Sequence, residues 1–214
     1  MTNGTGSPAI GLTHGASQDT GLGYRGPQSK SIVVPYGFWL FVLSDMVLFS
    51  ALFASYATLV HATDGGPVTS QLFDRTNVAI ETLALLISSF ICGLAMIAAK
   101  RKNMLWTQVF LFFTGLFGLV FLVIEITEFV GMVRIGAGPQ RSAFLSSFFT
   151  LVGCHGAHVT AGLLWIGTMM AQVWAKGFQP HIIRRLLCFS IFWHALDIIW
   201  VAIFTIVYLI GTLP

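Results

Sequence analysis

The chain has 214 residues, 56% of them hydrophobic and only 9% charged, and its mean hydropathy is +0.82. A soluble domain of this size carries about a quarter charged residues, so the composition excludes one and indicates an integral membrane protein. The formal net charge of +3 is small and confined to loops, and nothing in it points to a nucleic-acid partner.

Residues 1–30 are rich in Gly, Ser and Thr and have no apolar pattern, which predicts a disordered tail. The run that follows is too long for the core of a secretory signal and lacks a small-residue cleavage site. Five apolar spans are then expected, at about 35–60, 77–99, 106–133, 143–173 and 183–212, each long enough to cross a bilayer. The reading is an all-α fold, a polytopic bundle of five transmembrane helices over residues 31–214. Connections are short, so consecutive spans are expected to be antiparallel neighbours. Thr63-Asp64-Gly65-Gly66-Pro67 and Gly136-Ala137-Gly138-Pro139 read as turns. Arg25, Lys30, Lys100, Arg101, Lys102, Lys176, Arg184 and Arg185 fall on one side of the membrane, and Arg75, Arg134 and Arg141 on the other. Eight against three places the N-terminus in the cytoplasm and, after five crossings, the C-terminus outside.

Five of the eight acidic residues lie within the spans. An ionised carboxylate at the bilayer centre costs roughly 2.5–3.5 kcal/mol on insertion scales, so these groups must face helix neighbours, hold a proton or sit near an interface. In span 1, Asp45 is the lone charge of a stripe that includes Phe38, Phe41, Phe49 and Tyr56. Burial there disfavours the charged form unless a cation pairs with it; a structural acceptor and a role in proton handling are both open. Glu81, about one turn inside span 2, reads as an interfacial, partly wet carboxylate. Span 3 carries Glu125 and Glu128 at i, i+3 on the face of Thr114, Gly118 and Phe121. Their proximity suggests a shared proton. It also resembles carboxylate metal ligation, but bundle di-iron sites need Glu-x-x-His pairs, and none occurs here.

Span 4 holds His155 and His158 on one face with Gly162 and Trp165. Gly153, Gly156, Thr160 and Gly167 make a small-residue stripe on a nearly opposite face, a pattern that lets helices approach closely in lipid. In span 5, His194 and Asp197 are three residues apart and can bond directly. By depth, Asp45, His155, His158, His194 and Asp197 gather near mid-membrane and can form one polar network of three imidazoles and two carboxyls; Glu81, Glu125 and Glu128 lie further out. Cys92, Cys154 and Cys188 form no CxxC pair and read as small core residues. No residue is expected to be catalytic, to hold a cofactor or to ligate a metal.

Four segments together resemble subunit III of the haem–copper terminal oxidases. They are Gly37-Phe38-Trp39-Leu40 with Leu43-Ser44-Asp45 and Leu48-Phe49; Glu125-Ile126-Thr127-Glu128-Phe129; His155-Gly156-Ala157-His158-Val159 with Gly162; and Trp193-His194 with Asp197 and Trp200. Within the family the chain looks most like the quinol-oxidising bo-type branch, with five spans and Asp at position 45.

The resemblance implies an accessory subunit without redox centres in the bacterial plasma membrane. It also implies haem b, haem o and copper in subunit I, which reduces dioxygen with electrons from ubiquinol and pumps protons. Partners would be subunit I, the other oxidase subunits and phospholipid, and the chain would support subunit I's stability and proton uptake. The alternatives are subunit III of a cytochrome c oxidase, a proton-coupled transporter and a membrane metal-dependent oxidase. A transporter is disfavoured because five spans do not divide into equal repeats.

Overall fold

A computed structural model describes residues 30–60, 62 and 75–209. The expected tail lies outside them except for Lys30, as does the turn at 63–67. Among the described residues five helices are long and apolar enough to cross a membrane: α1 Lys30–Leu59, α2 Arg75–Lys100, α3 Met104–Arg134, α4 Ala143–Lys176 and α5 Pro180–Ile203, the last continuing as a π-helical segment, Phe204–Leu209. No strand occurs among the described residues.

Local chemistry sets the boundaries. Asn103 caps α3, its side chain accepting from the Trp106 amide, and Ser142 caps α4 by accepting from the Leu145 amide at 3.2 Å. Both use a short polar side chain to satisfy an N–H left over at a helix start. Gly136 sits at φ +78° in the turn after α3 and Gly177 at φ +66° after α4, a conformation glycine adopts without a side-chain penalty. Pro180 then opens α5, where its missing N–H would be unpaired anyway.

The helices are not stacked simply in chain order. α2, α3, α4 and α5 close a ring in which α2 and α5 meet, while α1 lies against α4 and α5 with at most marginal contact to α2. This corrects the expectation that all consecutive spans are neighbours. Only residues 101–103 separate α2 from α3, which forces those two to pair, whereas the 60–74 connection is long enough to carry the chain across the bundle. The interior is aromatic: Phe49, Phe121, Phe144, Phe148, Phe189 and Trp200 are fully buried.

Trp193 of α5 holds three helices together. Its Nε1–H donates to Ser88 Oγ at 3.0 Å, and that hydroxyl donates to the Thr114 carbonyl of α3 at 2.9 Å. The indole ring rests on Gly118 of α3 and Gly162 of α4, where an added Cβ would come within 2.8 and 2.7 Å of it. Both glycines are needed because a ring of this width fits only where neither helix carries a side chain. Of the small-residue stripe foreseen on α4, Gly153 and Gly156 face α3 side chains, but Gly167 meets nothing and Thr160 is exposed. The closest approach is on the histidine face, at Gly162.

Candidate functional site

The polar side chains inside the membrane separate into distinct groups. Between α1 and α4, Asp45 Oδ2 lies 3.7 Å from His158 Nε2, and His158 Nδ1–H donates to the Cys154 carbonyl at 2.8 Å. Both nitrogens of that imidazole are therefore engaged, one by its own helix and one by α1. Phe49 packs edge-on against the same ring at 5.3 Å.

His155, one turn away, is fully buried, and neither of its ring nitrogens has a hydrogen-bond partner among the described residues. It lies in an aromatic cage instead. The imidazole stacks on Trp200 at 5.3 Å and 29°, with Phe121 and Phe49 edge-on at 5.8 and 6.3 Å. The anticipated network of three imidazoles and two carboxyls does not take in this residue: its face of α4 meets the aromatic faces of α1, α3 and α5.

Across α2 and α5, the Ser89 hydroxyl lies 2.6 Å from His194 Nδ1, and the Asp197 carboxyl lies against the same hydroxyl. His194 and Asp197, expected to bond directly, are thus joined through a serine of another helix. No hydrogen bond or ion pair among the described residues links this trio to Asp45–His158.

Toward the end of the bundle opposite the α2–α3 turn, Glu81, Glu125 and Glu128 lie close enough for charge on any one to be felt by the others, and Tyr208 adjoins them. Glu81 is 0% exposed, which corrects the partly wet, interfacial reading. The π-helical segment after α5 reaches α2 and buries Val207 and Tyr208 there. Glu125 packs against Gly156 of α4: its carboxyl oxygens sit 3.5 Å from the point a Gly156 Cβ would occupy, an ordinary contact distance. Three carboxyls in so dry a place cannot all be ionised without a large mutual cost.

Among the described residues no three His, Cys, Asp or Glu side chains converge as a metal-holding group. His155 is walled by rings, and His158 faces its own helix at Nδ1 and Asp45 at Nε2.

The sequence profile described as "Cytochrome c oxidase subunit III" matches residues 20–212. The chain belongs to that family. Among curated relatives, cytochrome bo(3) ubiquinol oxidase subunit 3 of Pseudomonas aeruginosa is 50% identical over 182 residues, 83% of this chain and 85% of the relative. The protein of the same name from Pseudomonas putida is 48% identical, over 83% of this chain and 86% of the relative. Quinol oxidase subunit 3 of Bacillus subtilis is 42% identical, over 82% and 86% respectively.

The segments that carried the resemblance to subunit III hold the interior together. Asp45 with His158, Glu125 with Gly156, and Trp193 with Gly162 are contacts made between pairs of those segments. Sequence reasoning left Ser89 and Thr82 out of the polar interior and read Glu81 as partly wet. Thr82 Oγ1 accepts from Trp200 Nε1 at 3.1 Å. Ser88-Ser89 at mid-span was the available signal, but a membrane hydroxyl often bonds its own helix, as Ser50 does to the Met46 carbonyl.

Proposed function

We propose that this chain is the accessory, non-redox subunit III of a proton-pumping haem–copper ubiquinol oxidase of the aerobic respiratory chain. The observation that carries the reading is the match to relatives named ubiquinol or quinol oxidase subunit 3, which extends over more than four fifths of both chains. The bundle suits such a role. Its buried polar groups are joined helix to helix, through Ser88, Ser89 and Thr82, in the manner of structural ties.

In this reading haem b, haem o and copper belong to subunit I, which takes electrons from ubiquinol and reduces dioxygen. The present chain stabilises subunit I and supports its proton uptake, in contact with phospholipid. The complex lies in the bacterial plasma membrane. Loop lysines and arginines support a cytoplasmic N-terminus: Lys100, Arg101 and Lys102 follow α2, and Lys176, Arg184 and Arg185 flank the α4–α5 turn.

Gentle purification through a tag on this chain tests the proposal. Expected are co-purifying haem b and haem o spectra and oxygen consumption driven by quinol and not by reduced cytochrome c. Activity with cytochrome c would replace the quinol reading by the cytochrome c one. A stoichiometric haem absorption band in this subunit after separation from its partners would overturn the non-redox assignment.

A further inference from the structure

Most of the outward surface of the bundle suits contact with hydrocarbon. Its exposed hydroxyls are closed within their own helices: Ser44 bonds the Phe41 carbonyl, Thr150 that of Ser146 and Thr168 that of Trp165. Asp45 and His158, which also reach the surface, are engaged with each other and with Cys154.

The groove between α2 and α5 differs. It has a volume of about 370 Å³ and is lined by Ser89, His194 and Asp197 together with Phe90, Gly93 and Ile97. Phe90 and Ile97 are exposed, at 69% and 52%. At Gly93 the wall is open, since a Cβ there would meet nothing within 4 Å. The polar trio sits near the middle of both helices. An imidazole edge and a carboxyl presented to hydrocarbon at that depth are strongly unfavourable.

The trio also has a polarity. Ser89 has one hydroxyl proton. When it is given to the Asp197 carboxyl, the serine oxygen accepts from His194 Nδ1–H, and Nε2 is left with a lone pair. Nε2 has no hydrogen-bond partner among the described residues.

We propose that the α2–α5 groove seats a transmembrane helix of the oxidase's core subunit, which supplies a hydrogen-bond partner to His194 Nε2. The inference rests on the accessory-subunit reading above and names the face through which that subunit docks. A phospholipid does not meet the requirement: its headgroup donors lie at the interface, roughly 15 Å from mid-bilayer. A channel between two helices with a glycine in its wall is the shape a third helix fills at close approach.

Four membrane glycines with open space around them provide the test: Gly37 on α1, Gly93 on α2, Gly131 on α3 and Gly167 on α4. At each of these positions a Cβ meets nothing within 4 Å, and leucine raises helix propensity, so all four variants should accumulate in membranes like the unsubstituted chain. In the full complex, Gly93→Leu should cut the subunit recovered with haem in mild detergent by at least about tenfold, and the other three should stay within about twofold. Retention of Gly93→Leu with expulsion of one of the others would overturn the face assignment while leaving the subunit reading intact. Failure of the unsubstituted chain to bring down haem would remove the subunit reading and this proposal with it. A photo-crosslinker in place of Phe90 should join this chain to another polypeptide; adducts with lipid or quinone alone would overturn the proposal.

Discussion

The seat of Trp193 allows a quantitative test of how the bundle is held. In Gly162→Ala the new Cβ would lie 2.7 and 3.0 Å from the indole ring and 3.3 Å from Phe192, where ordinary contact begins at 3.4 Å. About 0.7 Å of movement is needed, the difference between 3.4 and 2.7 Å. The ring cannot simply retreat, because its far edge already lies 2.8 Å from the Cβ position of Gly118 on α3 and its Nε1–H is tied to Ser88. Overpacking of this kind costs about 1–3 kcal/mol, a factor of roughly 5 to 150 in an opening equilibrium. Trp193→Phe removes the ring atoms that collide, so in that background Gly162→Ala should cost less than about 0.5 kcal/mol. The double-mutant cycle should therefore show coupling of about 1 kcal/mol or more. Labelling of the Cys92 thiol in the purified complex supplies the assay, since this side chain is 1% exposed and reacts only when the bundle opens. An equal cost of Gly162→Ala with and without the Trp193→Phe substitution would refute the wedge.

Three further outcomes are expected. Asp197→Ala strips the acceptor from the Ser89–His194 pair at a cost of about 1–3 kcal/mol; the subunit should leave the complex in detergent before any haem band changes, and a variant as detergent-resistant as wild type would count against it. Asp45→Asn keeps a polar partner for His158 and should assemble and turn over quinol near the wild-type rate, while Asp45→Leu should assemble poorly; a fully assembled Asn variant with strongly slowed oxygen consumption would instead show proton relay at this residue. Gly156→Leu fills the space beside the Glu125 carboxyl and should cost about 1–3 kcal/mol, seen as loss of the subunit on mild heating, whereas Gly156→Ala, whose Cβ makes ordinary 3.5 Å contact, should be retained.

The sequence by itself determined the class, the number of helices and where each polar group falls along its helix. These are one-dimensional properties: a run of about 20 apolar residues must span, and a residue's distance from the ends of its run sets its depth. The face shared by Thr114, Gly118, Phe121 and Glu125 was legible for a similar reason, being fixed by helical periodicity, and all four are buried. The order of helices around the bundle was not legible. α1 crosses to α4 and α5 because its connection to α2 is long, and no pattern within a span states which neighbour its stripe will meet. Three features followed from that arrangement. Glu81 is fully buried on a helix that the segment after α5 also reaches. His155 found aromatic rings where a polar network was anticipated. His194 and Asp197, though one turn apart, came to be joined by Ser89, which lies 105 residues before His194 in the chain. Depth is a property of one helix, whereas a partner depends on the rotation and order of several, and only their packing decides it.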